Sequence, residues 1–192
     1  MIPSIEMCTE LMDRFEMPDH IRRHSLVVES AAVFLVDAHI HAGAQLSREM
    51  VQAGALLHDI AKASCLNNGR DHAMLGGEIC VENRFFEISH IVAEHVRLRD
   101  FSPGRRLSEK EIVFYADKRV SHDKIVSLDE RLLDLIERYG RGREDIAERI
   151  RVNFEVARDV ELKIFSGLGF TPEDLHDLLN EAGNLSSLSF SL

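Results

Sequence analysis

Ala53-Gly54-Ala55-Leu56-Leu57-His58-Asp59-Ile60-Ala61-Lys62 closes an apolar helical run with an imidazole and a carboxylate side by side, and a lysine follows one turn later. Burying a carboxylate next to an imidazole is costly unless something pairs with it. A cation beside the pair removes that cost. Outward from this stretch, every periodic segment shows the helical period, and no sustained alternation of the kind that marks strands is present. The sequence therefore predicts an all-α fold.

A helix over about Ile5 to Phe15 ends before Met17-Pro18, and Pro18 suits the first turn of a second one, which runs to about His41 and is stopped by Gly43. Ser47 caps the third, which carries Met50, Val51, Ala55, Leu56 and His58 and ends near Ala63. Ser64 to Arg70, with Asn67-Asn68-Gly69, reads as a loop. Asp71 caps a helix through Val81, and Phe85 to Val96 forms another. Ser108-Glu109-Lys110-Glu111 and Ser127-Leu128-Asp129-Glu130 are capping boxes, which predict helices over Ile112 to Ser121 and Arg131 to Arg138. Gly140-Arg141-Gly142 breaks the chain before a long amphipathic helix over about Glu144 to Phe165. Thr171-Pro172-Glu173-Asp174 starts a short last helix, and the tail from Asn184 reads as loosely held. The break divides 1–139, a His-rich helical bundle, from 140–192, a helical extension expected to pack on it within the same domain.

Of 192 residues, 45% are hydrophobic and 29% charged, as in globular proteins. No apolar stretch reaches the roughly 18 residues of a membrane span, and the start lacks the regions of a signal peptide, so a cytoplasmic location and no membrane partner are expected. Asp plus Glu outnumber Lys plus Arg by 33 to 23, which leaves no overall basic field to draw nucleic acid. Cys8, Cys65 and Cys80 are widely spaced, without a Cys-x-x-Cys, and read as free thiols.

The ten histidines carry more information. Ile21, His24, Val28, Ala31 and Leu35 recur at three and four, placing His24 on the buried stripe of its helix. His58 shares a face with Val51, and Val113, Asp117 and Val120 share another. His95 is four after Ile91, and His72 enters its helix directly after the cap. Six N/O donors, His24, His58, Asp59, His72, His95 and Asp117, would hold one metal with open positions or two that share the Asp59 carboxylate. Such a set suits iron, manganese, zinc, magnesium or cobalt rather than thiolate-loving ions. Two divalent ions about 3.5–4 Å apart can bind a phosphate oxygen and lower the pKa of a water from about 15.7 toward 7.

The order His24, His58-Asp59, His72, His95, Asp117 resembles the HD superfamily of metal-dependent phosphohydrolases. The closest likeness is to its small bacterial branch with a His-Asp-hydrophobic-Gly/Ala-Lys motif, here His58-Asp59-Ile60-Ala61-Lys62. The resemblance spans about Pro18 to Leu128. It implies an all-helical HD-domain bundle and hydrolysis, by metal-bound hydroxide, of a phosphate ester or phosphoanhydride of a small molecule, often a nucleotide. By motif position it implies His24, His58, Asp59 and Asp117 as the basic metal set, with His72 and His95 adding the ligands of the dinuclear relatives. Only twelve residues separate Asp59 from His72, fewer than in the otherwise similar dinucleotide-cleaving relatives.

Asp59 and Lys62 are then the expected catalytic pair, with Lys62, Arg97, Lys118 and His122 as substrate contacts. His20 is set aside because Ile21 takes the inward position, and the arginines of Arg138 to Arg151 read as a solvated face with Glu144, Asp145 and Glu148. Ile146, Ile150, Phe154, Ala157, Glu161 and Ile164 form a stripe that suits core packing better than a homodimer surface, though both stay open. Two other readings of the site also stay open here: a diiron oxygenase, and a module that binds a nucleotide without turnover.

Overall fold

The computed structural model describes residues 1–66, 69–181 and 183. Asn67 and Asn68 of the expected loop, and the tail from Asn184, lie outside the described residues. The architecture is all-α. In chain order the helices are α1 (Ile5–Arg14), α2 (Asp19–His41), α3 (Arg48–Leu57), α4 (Lys62–Cys65), α5 (His72–Glu82), α6 (Phe86–Glu94) and α7 (Glu109–Lys118). A hairpin of two short strands, β1 (Val120–Ser121) and β2 (Lys124–Ile125), precedes α8 (Leu128–Leu135), a π-helical turn (Ile136–Gly140), α9 (Glu144–Phe165), a 3-10 turn (Pro172–Asp174) and α10 (Leu175–Glu181). No helix among the described residues is long and apolar enough to cross a membrane.

The caps read from the sequence hold their helices. Ser47 accepts from the Met50 N–H, Asp71 from the Ala73 and Met74 N–H groups, and both predicted capping boxes form. Each satisfies donors that a helix start otherwise leaves open.

Three boundaries differ from the sequence reading. The third helix stops at Leu57, and His58 to Ala61 form a tight turn, closed by Ile60 N–H donating to the Leu57 carbonyl and Lys62 N–H to that of Asp59. The turn keeps His58, Asp59, Ile60 and Ala61 all buried, continuing the buried run Ala53 to Leu57 of α3. The helix opened by Ser108 ends at Lys118 rather than Ser121, because Val120 pairs with Ile125 across the hairpin and His122 takes a left-handed φ of 57°. The helix expected to end at Arg138 gives way to the π-helical turn after Leu135.

One core joins these elements. α2 packs on α3 and α7, α5 on α6, and α3 on both α6 and α7. Gly54 is what lets α3 meet α6, since a Cβ there would lie 2.6 Å from the Ile91 Cγ2. Phe154, Ala157, Val160 and Ile164 of α9 and Leu175 and Leu179 of α10 are buried in the same core as α2 and α7. A polar clamp reinforces this closure around buried Arg119. Its guanidinium donates to the Val126 carbonyl (2.6 Å), the Tyr115 hydroxyl, Glu161 of α9 (3.4 Å) and the Pro172 carbonyl (2.9 Å). Burial and the neighbouring Glu161 keep the Tyr115 phenol protonated, and it donates to Glu161 at 2.6 Å.

Candidate metal centre

Five segments bring the six predicted donors together: α2 supplies His24, the α3–α4 turn His58 and Asp59, the start of α5 His72, the end of α6 His95, and the last turn of α7 Asp117. Asp59 lies at the middle. Its Oδ2 faces His58 Nε2 (3.4 Å) and His24 Nε2 (3.9 Å), and Asp117 Oδ1 stands 3.1 Å from His24 and 3.7 Å from His58. Its Oδ1 faces His72 Nε2 (3.3 Å) and His95 Nε2 (3.5 Å), which are 3.2 Å from each other. Among the described residues the donors thus form two groups, His24-His58-Asp59 and Asp59-His72-His95, with Asp59 common to both.

The imidazoles are fixed from behind. Nδ1 of His24 donates to the His122 carbonyl (2.8 Å), that of His58 to the Ala55 carbonyl (2.7 Å) and that of His95 to the Val92 carbonyl (2.7 Å). A carbonyl only accepts, so in the neutral ring the single proton sits on Nδ1 and the Nε2 lone pair points at the centre. Backbone carbonyls orient metal-bound histidines in this manner. Neither His58 Nε2 nor Asp59 Oδ1 has a hydrogen-bond partner, although both are buried. An unpartnered buried polar atom costs about 1–3 kcal/mol. These two atoms belong to different groups' inner faces, and divalent ions would satisfy both. The all-N/O donor set suits such ions, since the Cys8 and Cys80 thiols sit in the core and burial pushes both up to about 12.

The electrostatics follow from burial opposed by charge. Burial alone would raise the Asp59 pKa, but His58 and Lys62 hold it well below the usual carboxylate range, and Lys118 and His24 do the same for Asp117. Burial disfavours charge on His58 too, yet Asp59 and Asp117 hold its pKa above the ordinary value. For His95 burial wins and takes it down to about 4. Lys62 is kept charged against its burial by Asp59 and Asp117, and its Nζ lies 2.7 Å from Asp59 Oδ2.

A cavity of about 1000 Å³ opens from the centre, and Lys62, Arg97, Lys118 and His122, the predicted substrate contacts, all border it. They are not equivalent. Lys118 turns its ammonium inward, donating to the His95 carbonyl and to Asp117 (3.1 Å), so it braces two of the donors. His122 braces a third through its carbonyl, while its ring Nε2 accepts from Arg138 at 2.7 Å.

Sequence reasoning missed several cavity residues. His20, set aside, borders the cavity, and its spacing of four from His24 was the available signal. Arg138 and Arg149, read as part of a solvated face, border it as well. Arg151 does lie outside, paired with Glu144 and Glu148. Ile146, Ile150 and Phe154 border the cavity, Ala157 and Ile164 of the same stripe pack in the core, and Glu161 joins the Arg119 clamp.

A family model for the HD domain matches residues 21–121, a span that includes every donor of both groups. A tRNA (cytidine(56)-2'-O)-methyltransferase of Picrophilus torridus is 30% identical over 165 residues, covering 78% of this chain and 45% of that protein. An uncharacterized protein of Methanocaldococcus jannaschii is 28% identical over 153 residues, covering 72% of this chain and 88% of that one. The chain therefore spans less than half the length of the methyltransferase. No solved structure matches.

Proposed function

The chain belongs to the HD superfamily of metal-dependent phosphohydrolases, and from that premise we propose that it hydrolyses a phosphate ester or phosphoanhydride of a small molecule, a nucleotide first among them. In this reading His24, His58, Asp59, His72, His95 and Asp117 would hold two divalent ions. The observation that carries it is the division of one buried carboxylate between two sets of histidine nitrogens. When bound, the ions would supply a water acidic enough to ionise near neutral pH and positive charge for the phosphate oxygens.

The chain's own residues do the rest. His24, His58 and Asp117 serve the Oδ2 side of Asp59, and His72 and His95 the Oδ1 side. Lys62 stands at the cavity wall, where its ammonium neutralises nonbridging oxygens as charge spreads over them. In the reaction a water oxygen bonds to phosphorus, the bridging P–O bond breaks, and the leaving oxygen takes up a proton. Arg97 extends the positive lining outward. The substrate is a small molecule in this reading rather than an RNA, because the net charge of −10 opposes a long polyanion while the cavity supplies cations locally.

The test is to quantify bound metal in the purified chain, load it with Mn, Fe, Co or Mg, and follow phosphate release from nucleotides and simple phosphate esters. Two ions per chain and turnover of at least one ester are expected. A protein that binds both ions and releases no phosphate from any of them refutes the reading.

A further inference from the structure

The cavity changes character along its length. Its inner end is the charged centre, while its outer wall comes from α8, the π-helical turn and α9, faced by residues after α4 and α6. Single exposed apolar side chains are ordinary on a protein surface. Here four large ones border one cavity and stay open to solvent: Leu66 (66%), Val96 (37%), Tyr139 (53%) and Val152 (51%). Ile146 and Ile150 continue the same lining. Apolar groups gathered at the mouth of a polar centre mark a place where something apolar is held.

The π-helical turn is built to present this wall. A π-turn interrupts the regular helical phase, and here Arg138 and its neighbour Tyr139 both reach the cavity. Gly140 closes the turn directly on α9, where a Cβ would stand 3.0 Å from that of Ala147 and 3.2 Å from its Cα. Arg138 is held from two sides, by Asp134 at 2.6 Å and by the His122 ring at 2.7 Å. Tyr139 and Lys62 border the same cavity, so the turn and the centre share one space.

We propose that Tyr139, on the π-helical turn, is a specificity residue: its ring packs against the organic part of a phosphate ester whose phosphate lies at Asp59 and Lys62, selecting a flat, largely apolar group over a short one. A phenol ring offers a flat face, and the valine, leucine and isoleucine side chains around it offer no hydrogen bonds. A short group there would leave that apolar surface uncovered. The inference takes the nature of the reaction from the phosphohydrolase reading, but the subsite stands on the cavity alone.

The experiment measures calorimetric affinities of the Mn-loaded full chain for phenylphosphonate and methylphosphonate, neither of which is a phosphate ester, with phosphate release from phenyl phosphate followed in parallel. Wild type should prefer phenylphosphonate by about tenfold. Tyr139→Ala should bring that ratio close to unity, and Tyr139→Phe should keep it. The exposed position makes both variants safe for folding, which thermal unfolding verifies. A wild-type ratio near unity, or a Tyr139→Ala ratio equal to that of wild type, overturns the proposal. The expected ratios without phosphate release would support the subsite and remove the phosphohydrolase reading, whereas release without any preference would do the reverse.

Discussion

Gly54→Ala is the most direct probe of how the centre is held. The added Cβ would sit 2.6 Å from Ile91 Cγ2 and 3.3 Å from Ile91 Cβ, against an optimal carbon separation of about 3.5–4.0 Å. Ile91 is fully buried, so α3 and α6 must part by about 1 Å or Ile91 must leave its rotamer. Overpacking costs about 1–3 kcal/mol, an approach this close between buried groups belongs at about 2–3 kcal/mol, and the better helix propensity of alanine returns about 1 kcal/mol. A net loss of about 1–2 kcal/mol follows, or about 2–8 °C in Tm for a chain of this size. The assay is thermal unfolding followed by circular dichroism in a chelator, so that metal binding does not mask the loss. Ile91 is also one turn before His95, so the separation displaces a donor, and the rise in Tm on adding Mn should shrink in the variant. Gly167→Ala, with nothing within 4 Å of its Cβ, should stay within about 0.5 kcal/mol of wild type. In an Ile91→Ala background the clash is gone, and Gly54→Ala should turn neutral or stabilising by up to about 1 kcal/mol. A Gly54→Ala protein as stable as wild type, or an undiminished loss in the Ile91→Ala background, would refute the argument.

Three further outcomes are expected. His122→Gly should raise Tm, because glycine accepts the left-handed φ of 57° without strain, and should preserve Mn affinity, because the carbonyl that holds His24 remains; loss of Mn binding in a titration would count against that role. Asp59→Asn should strip both ions in elemental analysis, since both groups share this carboxylate, and one tightly kept ion would show that the groups act independently. With a thiol reagent under native conditions Cys65 should react and Cys8 and Cys80 should wait for denaturant, because both are fully buried with their thiols pushed up to about 12; prompt reaction of all three would contradict that core.

His24, His95 and Asp117 were legible because each lies on a helical phase that neighbouring apolar residues define. His24 follows Ile21 and precedes Val28, and His95 follows Ile91, so a local period is enough to aim them inward. The turn at His58-Asp59 was not legible, since Leu57 to Ala61 is a continuous apolar and ligand run with no glycine or proline to mark a break. The hairpin escaped for a related reason: its pairing covers only Val120–Ser121 and Lys124–Ile125, too short to show alternation. Arg138 and Arg149 are exposed, as a solvated face requires, but that this face borders the cavity depends on how the π-helical turn and α9 sit against the bundle, which no window of sequence encodes. The π-helical turn that brings Tyr139 to the cavity is likewise fixed by Gly140 meeting Ala147.

The clamp around Arg119 has a consequence for how the protein is made. Arg119 stands two residues after Asp117, yet its guanidinium is satisfied in part by Glu161 and the Pro172 carbonyl. A nascent chain that has emerged only as far as the hairpin carries all six metal donors but leaves this buried cation without two of its acceptors. A chain cut at Gly140 would hold every donor and still leave that guanidinium short of two acceptors, so the last helices stabilise the segment that carries Asp117 without touching the centre.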